Sequence, residues 1–463
     1  MIDNVEERGD VLWKDCEGQG QAKMLRGGHV RALNMCAFLS AFVCVFILFA
    51  AIPVSAHSTI HKAESNHQFT LEIYGNANED DTIDMRDVTY IKLVIFGKKP
   101  ETEFCDANYD GRVSMLDVVQ TKLIIVGKEA KLTIVDSADR IVTVNKPIKR
   151  AFISSHHVEI LRSIDVDLKD IMVGATTLDP FFFPEFRDVP QVPVIKGGKV
   201  EDTEAVLNLD PDVVIFLNVD PDQRIVYEAA GVTVIVLGVN LLENYALGTR
   251  MLGYIFDKEE EAEEFIDWFE GILNLIEEVV KEIPEEDKPK VYAEGPETYY
   301  TSSLYAVELA GGKNIFSDES GYVAVNPEAV VARNPDIIVK GVLSITGPRG
   351  REIGGYGVDA GDTAEFEEIW EEIMNRPELQ GVTAVREKEV YIISHHFVSW
   401  RTASARPFLQ VVYFAKWFHP TLFEDLDPKA VHQEYLTEFQ GLDIDLDEKG
   451  VFVYHPELHP GGS

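Results

Sequence analysis

The chain has 463 residues, 46% hydrophobic and 26% charged, the balance of a globular protein with several cores rather than of a disordered or fibrous one. Its 42 Lys+Arg stand against 79 Asp+Glu, a formal charge of −37. That argues strongly against nucleic acid as the main partner, because neutralising phosphate takes clustered cations, and disfavours an anionic lipid surface. Divalent cations, cationic partners and plain solubility all fit the acidity.

Lys23, Arg26 and Arg31 precede an apolar run from Met35 to Ala51, then Pro53 and the small residues Val54-Ser55-Ala56. The pattern predicts a secretory signal cleaved after Ala56, so that residues 1–56 are an N-terminal extension and the rest is extracytoplasmic or at the cell surface. The run is slightly longer than an ordinary signal core, and an uncleaved membrane anchor is the alternative. Cys16, Cys36 and Cys44 fall in or before this segment, none where a lipoprotein cysteine would stand. Cys105 is then the only thiol, which leaves neither a disulfide framework nor a thiolate zinc site.

Two segments thirty positions apart repeat each other: 81–98, DTIDMRDVTYIKLVIFGK, and 111–128, GRVSMLDVVQTKLIIVGK. Oxygen-bearing residues precede and enter each at odd spacing. The second loop places Asp106, Asn108, Asp110, Arg112, Ser114 and Asp117 at positions 1, 3, 5, 7, 9 and 12, with position 7 offering a carbonyl and Gly111 at position 6. This is the donor set that a hard cation such as Ca²⁺ takes. The first loop is Asn76, Asn78, Asp80, Thr82, Asp84 and Asp87; with Asn at position 1 and Asp81 where Gly is preferred, it is expected to be the weaker site. A short helix ended by Gly97 or Gly127 is expected after each loop. A single loop of this kind is as readily a solvated acidic turn; two in register weigh against that. The segments before the loops, FTLEIYG and KKPETEF, are not helical in pattern, so a full EF-hand does not form. The duplicated unit, residues 70–129, resembles a type I dockerin module. That resemblance implies a small all-α calcium-binding unit, a cohesin-type surface partner, and recognition through loop positions 10 and 11, here Met85-Arg86 and Met115-Leu116.

Residues 131–145 alternate apolar and polar about an Asp139-Arg140 turn, predicting a β-hairpin. Apolar strands AFIS (151–154), IMVGA (171–175), VVIFL (213–217) and VTVIVL (232–237) then alternate with helices, the pattern of a parallel sheet covered on its faces. Between 245 and 283, Phe265, Phe269, Ile272, Leu273, Ile276, Val279, Val280 and Ile283 recur every three to four residues, predicting one long amphipathic helix closed by Pro284. A second series follows with KVYAE (290–294), DIIVK (336–340) and EVYII (389–393). EAVLNLDPDVVI (204–215) and EAVVARNPDIIV (328–339) mark equivalent places in the two series. The reading is α/β: two Rossmann-like lobes, 131–243 and 285–445, joined by one long helix within 244–284.

These features together resemble the substrate-binding proteins of iron-siderophore, haem and cobalamin ABC importers, over about residues 131–440. The resemblance rests on the opening hairpin, Lys149-Arg150, the Asp-Pro-Asp-Val-Val-Ile turn, the linking helix, and Arg376-Pro377 before Val390-Tyr391. It implies a ligand groove between the lobes, an ABC importer permease as partner, and docking through one exposed acidic residue per lobe. Glu204 and Glu328, which open the equivalent helices, are the matching residues.

Ligands of open α/β sheets sit beyond the carboxyl ends of the strands. In the first lobe that selects Ser155, His156, His157, Thr176, Phe182 and Asn218; in the second, Glu294, Tyr300, Tyr322, Lys340, His395, His396, Trp400 and Arg401. Each lobe contributes a His-His pair, and imidazole suits iron, cobalt, nickel, copper and zinc. Any one of these histidines could equally be a local packing residue. The aromatics favour a chelate over a bare ion, and Lys340, Arg349, Arg351 and Arg401 offer partners for its carboxylates. Two other classes stay open: a bare-ion binder, and a surface scaffold or adhesion protein. No G-x-S-x-G, H-E-x-x-H or P-loop sequence occurs, which argues against an enzyme.

Overall fold

Each of the duplicated loops runs into a helix, Met85–Ile95 and Met115–Ile125, and the same device starts both. The side chain of Asp84 or Ser114 accepts the N–H two residues on. The carboxylate of Asp87 or Asp117 reaches back to the cap N–H, at 2.8 and 2.6 Å. Both helices give way to a left-handed glycine, Gly97 and Gly127, which caps the last turn without a Cβ clash. Val88, Ile91, Val118 and Cys105 close a small core between them.

These features belong to a computed structural model that describes residues 70–195, 199–302, 304–319, 321–343, 354–397 and 406–458. The expected signal or anchor, residues 1–56, lies outside the described residues, as do Arg349, Arg351, Trp400 and Arg401. Among the described residues no helix is long and apolar enough to cross a membrane.

The expectation of an all-α, self-contained unit is corrected by its first residues. Ile73 pairs antiparallel with Ile134; Tyr74 N–H donates to Thr133 O and Val135 N–H to Glu72 O, both at 2.9 Å. The leading segment is thus held by a single antiparallel bridge against the hairpin Lys131–Val135/Ile141–Asn145. Leu71, Ile73, Ile83 and Ile124 share one hydrophobic cluster with the first lobe. Residues Ser65–Ser463 accordingly form a single compact unit.

The first lobe is a four-stranded parallel sheet in the order Met172–Ala175, Ala151–Ile153, Val213–Phe216, Thr233–Val236. Helices cover both of its faces, so its strands read as continuous apolar runs rather than as alternation. In the second lobe Lys290–Glu294, Ile337–Val342 and Val390–Ser394 form the parallel centre. Antiparallel strands Tyr300–Thr301 and Val323–Ala324 lie on one side and Val453–Tyr454 on the other. The second lobe therefore runs past the expected boundary at 445, because Val453–Tyr454 completes its sheet.

The linking segment is two helices rather than one. Leu242–Phe256 ends at Asp257, whose φ of 57° is left-handed, and Glu259–Val280 begins anew. The apolar repeat counted from Phe265 lies wholly in the second helix apart from Ile283, so extending it back to 245 joined two elements with unrelated faces. Phe265, Phe269 and Trp268 of that helix pack, edge-on or stacked, against Phe408 and Tyr435 of the second lobe.

Candidate ligand site between the lobes

Strand Ala151–Ile153 ends into a helix, Ser155–Ser163, and strand Met172–Ala175 into Thr176. The buried Thr176 hydroxyl accepts the Ser155 N–H at 2.8 Å, which ties the two strand ends together. His156 is half-buried beside them, with Nδ1 3.4 Å from the Ser155 hydroxyl. From the second lobe, Val390–Ser394 delivers His395 and His396, ring centroids 4.5 Å apart, and the Ser394 hydroxyl lies 2.8 Å from His396 Nδ1. His396 Nε2 reaches across to Asp179 of the first lobe at 3.6 Å.

Burial, then the neighbouring His396, pushes the His395 imidazole down to about 3. Burial likewise lowers His396, against the pull of Asp179. Burial raises the Asp179 carboxyl, but His396 and the Phe181 and Phe182 N–H groups outweigh it and hold the group below its ordinary value. Both histidines are therefore neutral near pH 7, the state in which imidazole ligates a metal or accepts a hydrogen bond.

The floor between the lobes is charged and buried. Arg406 of the second lobe pairs with Glu159 of the first at 2.6 Å; Glu159 also accepts the Tyr435 hydroxyl at 2.6 Å. Arg162 donates to Gln440 Oε1 at 2.7 Å and to Phe182 O at 2.9 Å. Phe182 stacks against Tyr356 at 4.8 Å and beneath the Arg406 guanidinium at 4.2 Å. Phe181 lies so close to Gly357 that a Cβ there would stand 2.6 Å from its ring, so a larger residue would have to push that half-exposed ring aside.

Several expected ligand residues are committed elsewhere. His157 is fully buried, Nδ1 2.6 Å from the Ser154 hydroxyl and Nε2 3.0 Å from Leu237 O: both ring nitrogens serve the first lobe's own core. Glu294 and Lys340 are an internal pair at 3.3 Å. Arg376 lies 2.8 Å from the same carboxylate, and the ammonium also donates to Gly295 O and Pro296 O. Tyr300 and Tyr322 stack on each other at 5.3 Å on the outer strands of the second sheet, where Tyr322 is bonded to Glu297. Phe182 packs lobe on lobe. Asn218 is exposed past Val213–Phe216. The strand ends thus offer Ser155, His156 and Thr176 in the first lobe and His395 and His396 in the second, with His396 joined to the first lobe through Asp179; Asp179, Glu159, Arg406 and Tyr356 are additions that sequence reasoning passed over. Glu159 and Arg406 are 247 positions apart, and no local pattern announces a charge pair of that kind.

In the loops, Asp106 accepts Asp110 and Gly111 N–H, and Asp117 accepts Asn108 and Ser114 N–H. Among the described residues no three His, Cys, Asp or Glu side chains converge on one metal position, in the loops or between the lobes. Asn76 is fully buried; its Nδ2 donates to Leu71 O and Asp80 O, leaving Oδ1 without a hydrogen-bond partner.

Two parallel-centred lobes, helices between them and a polar seam at the strand ends define a bilobal binding protein. The family model for periplasmic binding proteins matches residues 151–395, more than half of the chain, and the chain belongs to that family. An ABC transporter substrate-binding lipoprotein of Bacillus subtilis, YvrC, is 27% identical over 226 residues, 45% of this chain and 68% of that protein. A cobalamin-binding protein of Halobacterium salinarum is 27% identical over 194 residues, 38% of this chain; the match spans about half of that protein's length, 49%. The fold matches the TroA-like periplasmic binding protein FepB of Veillonella parvula with a TM-score of 0.55 at 24% identity, covering 70% of this chain and 99% of that one. It also matches the molybdate periplasmic binding protein MolA of Haemophilus influenzae, with a TM-score of 0.54 at 18% identity over 67% and 98% of the two chains. The matched curated relatives are binding proteins rather than enzymes.

Proposed function

We propose that this chain captures a metal chelate, a ferric siderophore, haem or corrinoid, between its lobes and hands it to the permease of an ABC importer. The observation that carries the reading is the contact of the lobes beside their strand ends: Asp179, which follows the strand Met172–Ala175, lies 3.6 Å from His396 Nε2, with Ser155, His156 and Thr176 at the first lobe's own strand ends. Neutral imidazoles beside hydroxyls suit the rim of a metal complex. The cobalamin-binding relative supports a corrinoid within that class. A bare ion is the second reading, with Asp179 beside His396 as a carboxylate that such an ion could share. The visible absorption spectrum of protein purified from its native source tests the reading. Bands of haem, corrinoid or ferric siderophore are expected, and a colourless protein that takes up a free divalent metal would overturn it.

We propose further that residues 70–129 hold Ca²⁺ and bind a cohesin-type surface protein. The all-oxygen donor set suits a hard cation. The orphaned Asn76 Oδ1 is a buried acceptor that such an ion would satisfy. Met85, Met115 and Leu116, the position-10 and -11 residues, are exposed. Because the unit shares its core with the first lobe, a partner held there would fix the binding lobe itself. Calcium-dependent protease resistance of residues 70–129, lost in Asp106→Ala/Asp117→Ala, is the expected outcome; resistance indifferent to chelator would overturn it.

A further inference from the structure

The two loops are matched in sequence but not in charge. In the first, the Arg86 guanidinium sits on two of the three carboxylates at donor positions, Nη1 3.0 Å from Asp80 Oδ2 and Nε 2.8 Å from Asp84 Oδ2. In the second, position 11 is Leu116, exposed and without charge. There Asp106 turns to the backbone N–H groups of Asp110 and Gly111 instead. Both loops make a left-handed turn at position 4, Glu79 and Tyr109, but only the second does so at position 6, Gly111.

The lobe also grips the first loop and not the second in the same way. Tyr254, on the helix Leu242–Phe256, presents its hydroxyl oxygen to Ile83 N–H at 2.8 Å and to the Thr82 hydroxyl at 3.3 Å. This fixes the backbone of positions 7 and 8, where a loop of this type offers its carbonyl. With that backbone held, and with the buried Asn76 Oδ1 unpartnered at position 1, the first loop is shaped for a cation yet already carries one on a side chain.

We propose that Arg86 is a built-in competitor for the first loop: it neutralises Asp80 and Asp84 until a divalent ion displaces it, and so sets a higher calcium threshold for this loop than for the second. This rests on the proposed calcium binding of residues 70–129. The guanidinium competes with a metal for the charge and the Oδ2 lone pairs of Asp80 and Asp84, and an exposed ion pair is weak enough to be broken by the ion. Arg86 is 61% exposed at its side chain, so it can swing into solvent when displaced. The freed cation would then stand beside exposed Met85 and change the charge of that face.

The test is calcium titration calorimetry on the full chain carrying Asp110→Ala, an exposed position that disables the second loop alone. One remaining site is expected, tightened about three- to tenfold by Arg86→Leu and weakened by Asn76→Ala, with the thermal midpoint in calcium rising in the Arg86→Leu protein. Arg86→Lys, which keeps a charge but loses the fork geometry, should fall between. A remaining site whose affinity ignores Arg86→Leu would overturn the competitor role. So would a second-loop variant that binds no calcium with or without Arg86→Leu. If the unaltered chain also binds none, it is the calcium reading itself that fails.

Discussion

Arg406 and Glu159, from opposite lobes, form an ion pair at 2.6 Å in a seam where each residue is less than a tenth exposed. A buried pair of this kind adds little net stability compared with an apolar replacement, but removing one partner strands the other charge. Arg406→Met is therefore expected to cost about 3–5 kcal/mol in denaturant unfolding. Glu159→Gln/Arg406→Met should recover a large part of that. A loss below about 1 kcal/mol in the single variant would mean that solvent reaches the seam and the lobes are not locked there.

The two neighbouring histidines of the first lobe are expected to part company under mutation. His156 is half-buried at a strand end of the proposed site, so His156→Ala and His396→Ala should each weaken ligand binding at least tenfold, about 1.4 kcal/mol. His156→Ala should leave stability little changed, whereas loss of the largely buried, Ser394-bonded His396 should cost stability as well. His157 is bonded at both nitrogens inside the core. His157→Ala should leave the affinity of the folded fraction alone and cost about 2–4 kcal/mol of stability, from the cavity and the stranded Ser154 and Leu237 groups. Equal effects of His156→Ala and His157→Ala on affinity would sink the distinction.

His157 also fixes a pH dependence. Burial, then the adjacent His156, lowers its folded value to about 3, against 6.5 when unfolded. Above pH 6.5 neither state is protonated and the ring contributes nothing. Below 6.5 the unfolded chain takes up a proton that the folded chain refuses. Stability is thus lost as pH falls from 6.5 towards 3, at about 1.4 kcal/mol per unit for this one ring. His157→Gln should release fewer than one proton's worth of slope between pH 6 and 4.5, read from denaturant midpoints. An unchanged slope would place the acid sensitivity elsewhere, with His395 the next candidate.

The parallel strands were legible because burial on both faces forces unbroken apolar runs, and KVYAE at 290–294 matches its strand residue for residue. The two loop–helix units were legible because their caps use local chemistry, Asp84 with Asp87 and Ser114 with Asp117. What failed was non-local. The break at Asp257 hides inside a continuing apolar pattern, since a left-handed aspartate leaves no periodic mark. Lys340 and Glu294 sit at strand ends where ligand groups belong, yet they pair with each other, and Arg376 shares the Glu294 carboxylate, a grouping only the sheet order reveals. Asp179 and Arg406 went unseen for the same reason: their partners come from the other lobe.

Glu204 and Glu328 occupy the second position of the helices Thr203–Leu207 and Pro327–Arg333, one in each lobe, and both are exposed. Two readings of such a carboxylate differ in what they predict. If it only complements the N–H groups of the first turn, each alanine costs about 0.3–1 kcal/mol and transport is untouched. If the pair docks the chain on two permease subunits, the double variant keeps its ligand affinity and nearly all its stability but no longer stimulates ATP hydrolysis by the transporter. The second outcome is expected. The helices are short, with little dipole to complement, and their caps are already served by Asp202 and Asn326. Charged rim contacts act mainly on association, so raised salt should weaken docking by the unaltered chain and leave the residual stimulation by Glu204→Ala/Glu328→Ala nearly constant. Full stimulation by the double variant at low salt would rule docking out and return both residues to the helix ends.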